Sequence, residues 1–202
     1  MDSKHTTRSA ATRTALVAAA RPLFAARGYA DVGTEEVVRA AGVTRGALYH
    51  QFADKQALFE AVFEAVEADL TQRIAEGSLS GGAEDPLAAL EAGVEEFLLL
   101  ATDPEMERIA LIDAPSVLGW ERWREIGARY GLGLIEGVLQ AAMDSGHIEV
   151  QPTRPLAHVL LGAVDEAAMV VARAVDQDAA RAEMLVILRR LLRSLAAPMS
   201  SP

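Results

Sequence analysis

Residues 34–59 have the sequence TEEVVRAAGVTRGALYHQFADKQALF, in which apolar residues recur at helical spacing on both sides of Gly42. This pattern predicts one short helix over residues 34–41 and a second over residues 45–52. Gly42 suits the intervening turn because glycine takes positive φ without steric cost, and Thr44 is the predicted N-cap of the second helix. The spacing is typical of a helix-turn-helix, although an ordinary helical hairpin with a solvated face has the same spacing.

The second of these helices carries side chains that suit a DNA groove. Gly46 and Ala47 are small enough to let the helix N-terminus approach a groove floor closely. Arg45 is the side chain best suited to a bidentate contact with guanine O6 and N7. Donors to phosphate oxygens are expected on the same surface. They are Thr44, Tyr49, His50, Gln51 and Lys55.

The remainder of the chain is also predicted to be helical. Of its 202 residues, 51% are hydrophobic and only 5% are aromatic, so the core must consist mainly of Ala, Leu and Val, which is helix-forming material. The Gly/Ser-rich residues 77–85 predict a loop. We therefore expect an all-α protein. Further helices are predicted over residues 11–26, 55–76, 86–102, 120–144, 155–175 and 176–196, with another after Pro104 that is interrupted at Pro115.

Charge is distributed unevenly along the chain. The formal net charge is −10 at pH 7, yet residues 1–60 carry eight basic and six acidic side chains, and residues 61–202 carry 11 basic and 23 acidic ones. A mildly basic N-terminal part can face a polyanion even though the whole chain is acidic. Chance partitioning of the charges would produce the same difference.

The absence of certain residue types and patterns excludes several classes of function. The sequence has no cysteine, which excludes disulfides, thiolate metal sites and cysteine nucleophiles. Its four histidines are scattered and no nucleophile–base pair is visible, so we expect no metal, no cofactor and no enzyme activity. No run of 18 apolar residues occurs and the polar N-terminus lacks a signal peptide, so we expect a cytoplasmic protein without a membrane partner.

Several residues within the stretch 34–59 keep the order and spacing found in a known DNA-binding domain. The residues that closely resemble the DNA-binding domain of TetR/AcrR-family transcriptional regulators are Ala41-Gly42-Val43-Thr44, Leu48-Tyr49, Phe52, Lys55 and Leu58. The resemblance implies a homodimeric repressor that binds double-stranded operator DNA and responds to a small-molecule effector. It implies a three-helix DNA-binding domain over residues 1–54, with a disordered arm over residues 1–10. A helical domain for effector binding and dimerisation would then cover residues 55–202.

The resemblance also assigns roles by position. It implies that residues 45–47 face bases, and it adds Thr34 to the phosphate contacts. Gly33 stands where such proteins often have Ser or Thr, so the helix cap and one phosphate contact fall to Thr34. Gln51 stands where His is frequent in the family.

A cluster of aromatic side chains marks a candidate effector site. Trp120, Trp123 and Tyr130 are three of the ten aromatic residues in the chain, and the two tryptophans share a helical face. Such a cluster belongs either to the core or to an apolar pocket, which would take an apolar effector. Further residues expected at this pocket are Phe97, Met106, Glu166 and Met169.

Two adjacent carboxylates, Asp165 and Glu166, stand in an otherwise apolar predicted helix. Burial of a carboxylate is costly without a partner. Either one of the two faces solvent while the other pairs with an arginine, or Glu166 binds a ligand or crosses a dimer interface.

The two C-terminal helices carry apolar stripes that would pair with their copies across a two-fold axis and form a four-helix bundle. Internal burial of both stripes in a monomer is the alternative. The expected interface residues are Gly162, Ala163, Ala167, Val170 and Ala174 on one helix and Leu185, Leu188, Leu192 and Leu195 on the other.

A second function class remains open from the sequence: a helical small-molecule-binding or scaffold protein that does not bind an operator. Arg45 and Lys55 argue against it, because a degenerate DNA-binding domain would have little reason to keep a basic surface over small residues.

Overall fold

The computed structural model describes residues 2–80 and 85–197, which fold as a series of helices. Among these residues the β-type pairing is limited to an isolated bridge between Ile148 and Ala196. The all-α prediction is confirmed. The elements are α1 (Asp2–Arg27), α2 (Thr34–Ala40), α3 (Arg45–Gln51), α4 (Lys55–Ser80), α5 (Pro86–Leu100), α6 (Pro104–Met106), a π-helical segment (Glu107–Asp113), α7 (Ala114–Leu118), α8 (Trp120–Asp144), α9 (Thr153–Ala172) and α10 (Gln177–Arg193).

Several helices begin at the capping residues that the sequence indicates. The Thr44 hydroxyl accepts a hydrogen bond from the backbone N–H of Ala47 at 3.2 Å, and Asp176 accepts one from Ala179 at 3.0 Å. Gly42, between α2 and α3, has φ 64°, a left-handed value that glycine adopts at no steric cost. The turn and the start of α3 are therefore determined by local contacts.

Two segments are more helical than the sequence predicts. A disordered arm is expected over residues 1–10, whereas α1 extends back to Asp2, since no Pro or Gly occurs in that stretch to break it. α4 likewise continues to Ser80, into the expected Gly/Ser-rich loop. Residues 1 and 81–84, which belong to these two predictions, lie outside the described part of the chain.

The chain divides into two compact units, each built from separated stretches of sequence. Unit 1 comprises Met1–Val66 and Pro104–Trp123, and unit 2 comprises Glu67–Asp103 and Arg124–Pro202. The predicted DNA-binding domain, residues 1–54, lies within unit 1, which also includes the first part of α4 and the segment from α6 to the start of α8. A division of function at residue 54 stays a prediction.

Unit 1 has a core of aromatic and aliphatic side chains. Phe24 of α1 and Phe59 of α4 are fully buried, and their rings meet edge to face with centroids 5.2 Å apart. Val37 of α2 and Leu48 of α3 are also buried. Because each short helix contributes a buried anchor, the opposite side of α3 is left exposed in a defined orientation.

Polar contacts attach the second stretch of unit 1 to the first. Arg21 of α1 forms a bidentate pair with Glu105 of α6, with N–O distances of 2.9 and 2.7 Å. Asp113, at the end of the π-helical segment, accepts a 2.7 Å hydrogen bond from the backbone N–H of Tyr29. These contacts hold α1, and the turn that follows it, against the segment that begins with α6.

Unit 2 contains α5, α9 and α10, which pack on one another through buried side chains such as Leu98, Val164 and Leu188. At its surface, Glu91 of α5 accepts two hydrogen bonds from Arg193 of α10, at 2.8 and 3.1 Å. By length and composition alone α9 could cross a membrane, with a mean hydropathy of 1.5. Core helices pass the same test, and half of this stretch is buried within the protein.

Candidate nucleic-acid interface and ligand site

α3 has one buried side and one exposed side. Leu48 is fully buried, whereas most of the expected DNA contacts on and before this helix are exposed. A Cβ atom at Gly46 would meet only the Thr44 hydroxyl, at 4.0 Å, so little bulk surrounds the N-terminal turn of the helix. Thr44, Arg45, Gly46, Tyr49 and His50 are exposed, and Ala47 and Gln51 are half-buried.

Arg45 lies at the start of α3 with its guanidinium near the surface. It forms an ion pair with Glu35 at 3.2 Å, and 66% of the Arg45 side chain and 80% of the Glu35 side chain are exposed. The guanidinium also lies 5.7 Å from the centroid of the Tyr49 ring. An ion pair between two such exposed side chains is worth at most about 1 kcal/mol, so Arg45 can exchange Glu35 for a base at little cost.

The Lys55 side chain, at the start of α4, is less exposed than the Arg45 side chain of α3. Its ammonium lies 4.1 Å from the centroid of the Tyr29 ring and 3.5 Å from the carbonyl oxygen of Ala30. Burial lowers the pKa of Lys55, and the carboxylates of Asp31 and Asp113 oppose that shift. The structure thus places Lys55 beside the turn after α1, half-buried.

The remaining expected DNA contacts differ in how they are held. The side-chain amide of Gln51 donates a 2.8 Å hydrogen bond to the Ser9 hydroxyl, which ties α3 to α1. Gly33 is the N-cap of α2 and offers no side-chain cap, and the half-buried Thr34 is the first residue of the helix. Thr34 therefore does not take over the capping role that the sequence assigns to it.

The expected effector residues fall into both units. Unit 1 contains Met106, Trp120 and Trp123, and unit 2 contains Phe97, Tyr130, Glu166 and Met169. Neither unit by itself therefore contains the complete expected set. Met106, Trp123 and Met169 are buried, Trp120 and Glu166 are exposed, and Phe97 and Tyr130 are half-buried.

The two tryptophans are in contact but occupy different environments. Their ring centroids are 4.9 Å apart, with Trp120 56% exposed and Trp123 only 4% exposed. The indole N–H of Trp123 donates a 2.9 Å hydrogen bond to the carbonyl oxygen of Ala110 in the π-helical segment. Trp123 is therefore a core residue of unit 1, in line with the first of the two interpretations of this cluster.

The adjacent carboxylates of α9 have different surroundings, as in the interpretation that one pairs with an arginine and the other faces solvent. Asp165 forms a hydrogen-bonded ion pair with Arg124 of α8, whereas Glu166 faces outward and is exposed. Burial raises the pKa of Asp165 to about 6, and the Arg124 guanidinium limits that rise. Glu166 does not line a buried ligand site within unit 2.

Glu67 of α4 is a buried carboxyl group that the sequence analysis does not identify. It retains 9% of its surface, and among the described residues no hydrogen bond or ion pair reaches its carboxyl group. Burial raises the pKa of Glu67 to about 8, and the negative charge of Asp165 adds to that rise. A signal was present: Glu67 lies one turn from Phe63 and one turn from Leu70, on the apolar side of α4.

The structure buries three of the four expected interface residues of α10 within the single chain. Leu185, Leu188 and Leu192 are buried inside unit 2, where α10 packs on α5 and α9. α10 carries further large apolar side chains beside this buried stripe, and these are exposed. They are Val186, Ile187 and Leu191, with exposures of 48%, 51% and 49%.

The expected interface on α9 is divided in the same way. Ala167 is buried in unit 2, whereas Val170 is 37% exposed and shares its side of the helix with the exposed Val159. Gly162, Ala163, Ala174 and Leu195 are half-buried. We call the exposed set Val159, Val170, Val186, Ile187 and Leu191 the α9–α10 face.

Comparisons with known proteins agree with this arrangement. Residues 16–62 match bacterial regulatory proteins of the tetR family, and residues 87–195, more than half of the chain, match the tetracyclin repressor-like C-terminal domain. The crystal structure of a TetR-family transcriptional regulator from Pectobacterium atrosepticum is 32% identical and superposes with a TM-score of 0.83, covering 95% of this chain and 97% of that one.

Two relatives by sequence each match more than half of this chain. An HTH-type transcriptional repressor of Mycobacterium tuberculosis is 34% identical over 120 residues, 59% of this chain and 62% of that protein. The transposon Tn10 TetC protein of Escherichia coli is 26% identical over 151 residues, 73% of each chain. These relatives do not favour a scaffold without operator binding. The chain belongs to the TetR family of bacterial transcriptional regulators and is a DNA-binding regulator with a helix-turn-helix.

Proposed function

We propose that this regulator is a cytoplasmic, homodimeric repressor that holds an operator through α3 and leaves it when a small molecule binds. The observation that carries the proposal is the two-sided character of α3, since Leu48 anchors the helix in the core while Arg45 and its neighbours are exposed. Repression is supported by the relatives from Mycobacterium tuberculosis and Corynebacterium efficiens, which are named HTH-type transcriptional repressors.

The DNA contacts follow from where each side chain lies. Arg45 reads a guanine edge, and the absence of bulk at Gly46 and Ala47 lets the helix approach the groove floor. The other side chains position the protein on the backbone and carry no sequence information of their own. Phosphate contacts are assigned to Thr34, Thr44, Tyr49, His50, Gln51 and Lys55.

A titration with fluorescently labelled DNA from upstream of the gene tests operator binding. Arg45→Ala should weaken binding to the preferred sequence, and Arg129→Ala is a matched control. Arg129 pairs with Glu125 within α8 at 3.6 Å, so its loss removes the same charge from unit 2 instead of from α3. Equal binding by the wild type and Arg45→Ala, or no sequence preference in the wild type, would contradict the proposal.

The second copy of the chain is proposed to bind at the α9–α10 face. Its five large apolar side chains remain exposed on α9 and α10 after unit 2 has packed, and a second copy would remove them from water. Pairing with a second copy would give a four-helix bundle. A dimer also presents two copies of α3, which an operator with half-sites about 34–36 Å apart requires.

The effector is proposed to act on the part of the chain outside the DNA-binding domain. An effector releases DNA only if it prefers the state in which the two copies of α3 no longer fit, and a tenfold loss of operator affinity needs about 1.4 kcal/mol of that preference. Trp120 and Trp123 are the only tryptophans in the sequence. Their fluorescence reports whether an effector acts near them, and an unchanged spectrum on operator release would exclude the expected aromatic site.

A further inference from the structure

We propose that Glu35 of α2 determines operator specificity by holding the Arg45 guanidinium in place for a guanine. The inference rests on the proposed function, because it takes Arg45 as the side chain that reads a base. Glu35 acts on the base through Arg45 and makes no base contact of its own. The observation behind it is the hydrogen-bonded ion pair that joins α2 to the first residue of α3.

The two helices that carry the pair are each anchored in the core of unit 1. Val37, two residues after Glu35, and Leu48, three residues after Arg45, are both buried. The turn between the helices is short, and Gly42 holds it in a left-handed conformation with φ 64°. With both helices anchored, the separation of the Glu35 carboxylate and the Arg45 guanidinium depends on their side-chain rotamers.

Two contacts limit the orientation of the Arg45 side chain. Its Nη1 donates a hydrogen bond to Oε1 of Glu35 at 3.2 Å, and the guanidinium carbon lies 5.7 Å from the centroid of the Tyr49 ring. A free arginine side chain has many rotamers, and ordering it on a base costs conformational entropy. Contacts that already favour one orientation reduce this cost, so they strengthen the complex in which that orientation fits.

The guanidinium has enough donors to keep Glu35 and bind a base at the same time. Arginine carries five N–H groups, and a bidentate contact with guanine O6 and N7 uses two of them. The contact with Glu35 involves Nη1, and the Nε and Nη2 atoms of Arg45 have no hydrogen-bond partner among the described residues. Exchange of Glu35 for a base is therefore cheap but not required, and the DNA complex can retain the pair.

The exposed carboxylate of Glu35 also penalises other ways of binding DNA. Glu35 is 80% exposed, and among the described residues its side chain has an ion pair with Arg45 and with no other group. If Arg45 turns to a phosphate, the Glu35 carboxylate loses its counter-charge close to DNA phosphates that repel it. Glu35 therefore lowers affinity for DNA in general, and lowers it least where Arg45 meets guanine.

The neighbouring carboxylate, Glu36, provides a matched control. It lies in the same turn of α2 and carries the same charge, but it accepts a 2.5 Å hydrogen bond from Arg27 of α1. Glu35→Ala and Glu36→Ala each remove one carboxylate from the first turn of α2 and leave one arginine without it. Because only Glu35 contacts Arg45, the two variants separate the positioning of Arg45 from the general effect of charge.

Titrations of full-length protein with four related duplexes test the role of Glu35. Selection from a randomised duplex library gives the preferred site, and Arg45→Ala identifies the base pair that Arg45 reads. Four labelled duplexes that differ only at this base pair are then titrated by fluorescence anisotropy. Glu35→Ala should reduce the preference for guanine about two- to fivefold, the range expected for loss of one exposed ion pair. Glu36→Ala should raise the affinity for all four duplexes alike and keep the guanine preference.

Two further variants distinguish positioning from direct base contact. Glu35→Gln keeps an oxygen that can accept from the guanidinium, so it should restore part of the preference that Glu35→Ala loses. In the Arg45→Ala background, Glu35→Ala should cause no further change in base preference, because the side chain that it positions is absent. An unchanged guanine preference in Glu35→Ala would overturn the proposal. A further loss of preference in the double variant would overturn it too, because Glu35 would then read a base itself.

The same titrations tell failure of the Glu35 role from failure of the proposed function. If the wild type selects no preferred sequence, or Arg45→Ala relaxes no base pair, operator reading by α3 falls and the role of Glu35 falls with it. If Arg45→Ala relaxes one base pair and Glu35→Ala does not, only the role of Glu35 falls. Because the Glu35 side chain is exposed, the circular dichroism of Glu35→Ala should match that of the wild type.

Discussion

Replacing Glu67 by glutamine should remove most of the pH dependence of stability near neutrality. Burial raises the pKa of Glu67 from 4.5 to about 8, so between these values the folded chain holds a proton that the unfolded chain has released. The contribution of this group to stability is therefore present in full below its unfolded pKa and is lost as the pH rises through its folded pKa. Glutamine fills the same volume and has no proton to lose in this range.

The size of the effect follows from the shift. A pKa difference of about 3.5 units corresponds to about 5 kcal/mol between the two limits of pH, as an order of magnitude. Between about pH 6.5 and 7.5 the folded carboxyl group stays mostly protonated, so the free energy of unfolding should fall by about 1 kcal/mol per pH unit. Asp165, with its pKa raised to about 6, contributes mainly below this interval.

Urea unfolding followed by circular dichroism measures this slope, at one protein concentration because dimerisation contributes to stability. Between about pH 6.5 and 7.5, the free energy of unfolding should fall in the wild type and in Asp69→Asn. In Glu67→Gln it should stay nearly constant. An equally steep slope in Glu67→Gln would refute the reasoning, because the carboxyl group would then be ionised in the folded chain or another group would titrate.

Further predictions concern DNA binding, assembly and the core. Arg45→Ala should cost about 1–3 kcal/mol of DNA-binding free energy and relax the preference at one base pair. Lys55→Ala should weaken binding to all DNA sequences alike and reduce the slope of log affinity against log salt concentration by about one. Anisotropy titrations measure both effects, and equal, sequence-independent losses would contradict the assignments. Ile187→Asp should sediment as a folded monomer, whereas Leu188→Asp should destabilise unit 2 by several kcal/mol. A dimeric Ile187→Asp would show that the interface does not include Ile187. Trp123→Ala should lower the free energy of unfolding, measured by thermal denaturation, by about 3–5 kcal/mol. A loss below about 1 kcal/mol would contradict the place of Trp123 in the core.

The DNA-binding helices could be predicted because their signals are local. Gly42 and Thr44 act on the backbone within a few residues of themselves, and Leu48 follows Thr44 by one turn. Such contacts form in the same way whatever the remainder of the chain does. Burial of Leu48 anchors α3 in the core, and Arg45, in the first turn of the helix, remains exposed.

Periodicity could not decide which side of α10 faces the core. The helix has two apolar stripes, one with Leu188 and the other with Ile187, and both satisfy the helical period. The choice depends on α5, which covers the Leu188 side and is distant in sequence. Helical spacing therefore predicts association through α10 but does not separate the buried leucines from the exposed residues beside them.

The burial of Trp123 could not be predicted for a related reason. An aromatic cluster draws attention because aromatic residues are rare in this chain, but Trp123 is held by the Ala110 carbonyl in the core of unit 1. The raised pKa of Glu67 depends on burial and on the charge of Asp165 in α9, and no single window of sequence contains both residues. A carboxylate on the apolar side of α4 was the visible sign.

The order of synthesis constrains how unit 1 can fold. The bonds between Arg21 and Glu105 and between Tyr29 and Asp113 each join positions 84 residues apart, so both partners exist only after α5 has left the ribosome. Until then neither of these two bonds can form, and closing so long a loop carries an entropic cost. A nascent or proteolytic fragment ending near residue 66 would contain α1 to α3 and lack the carboxylates that tie down α1 and the turn after it.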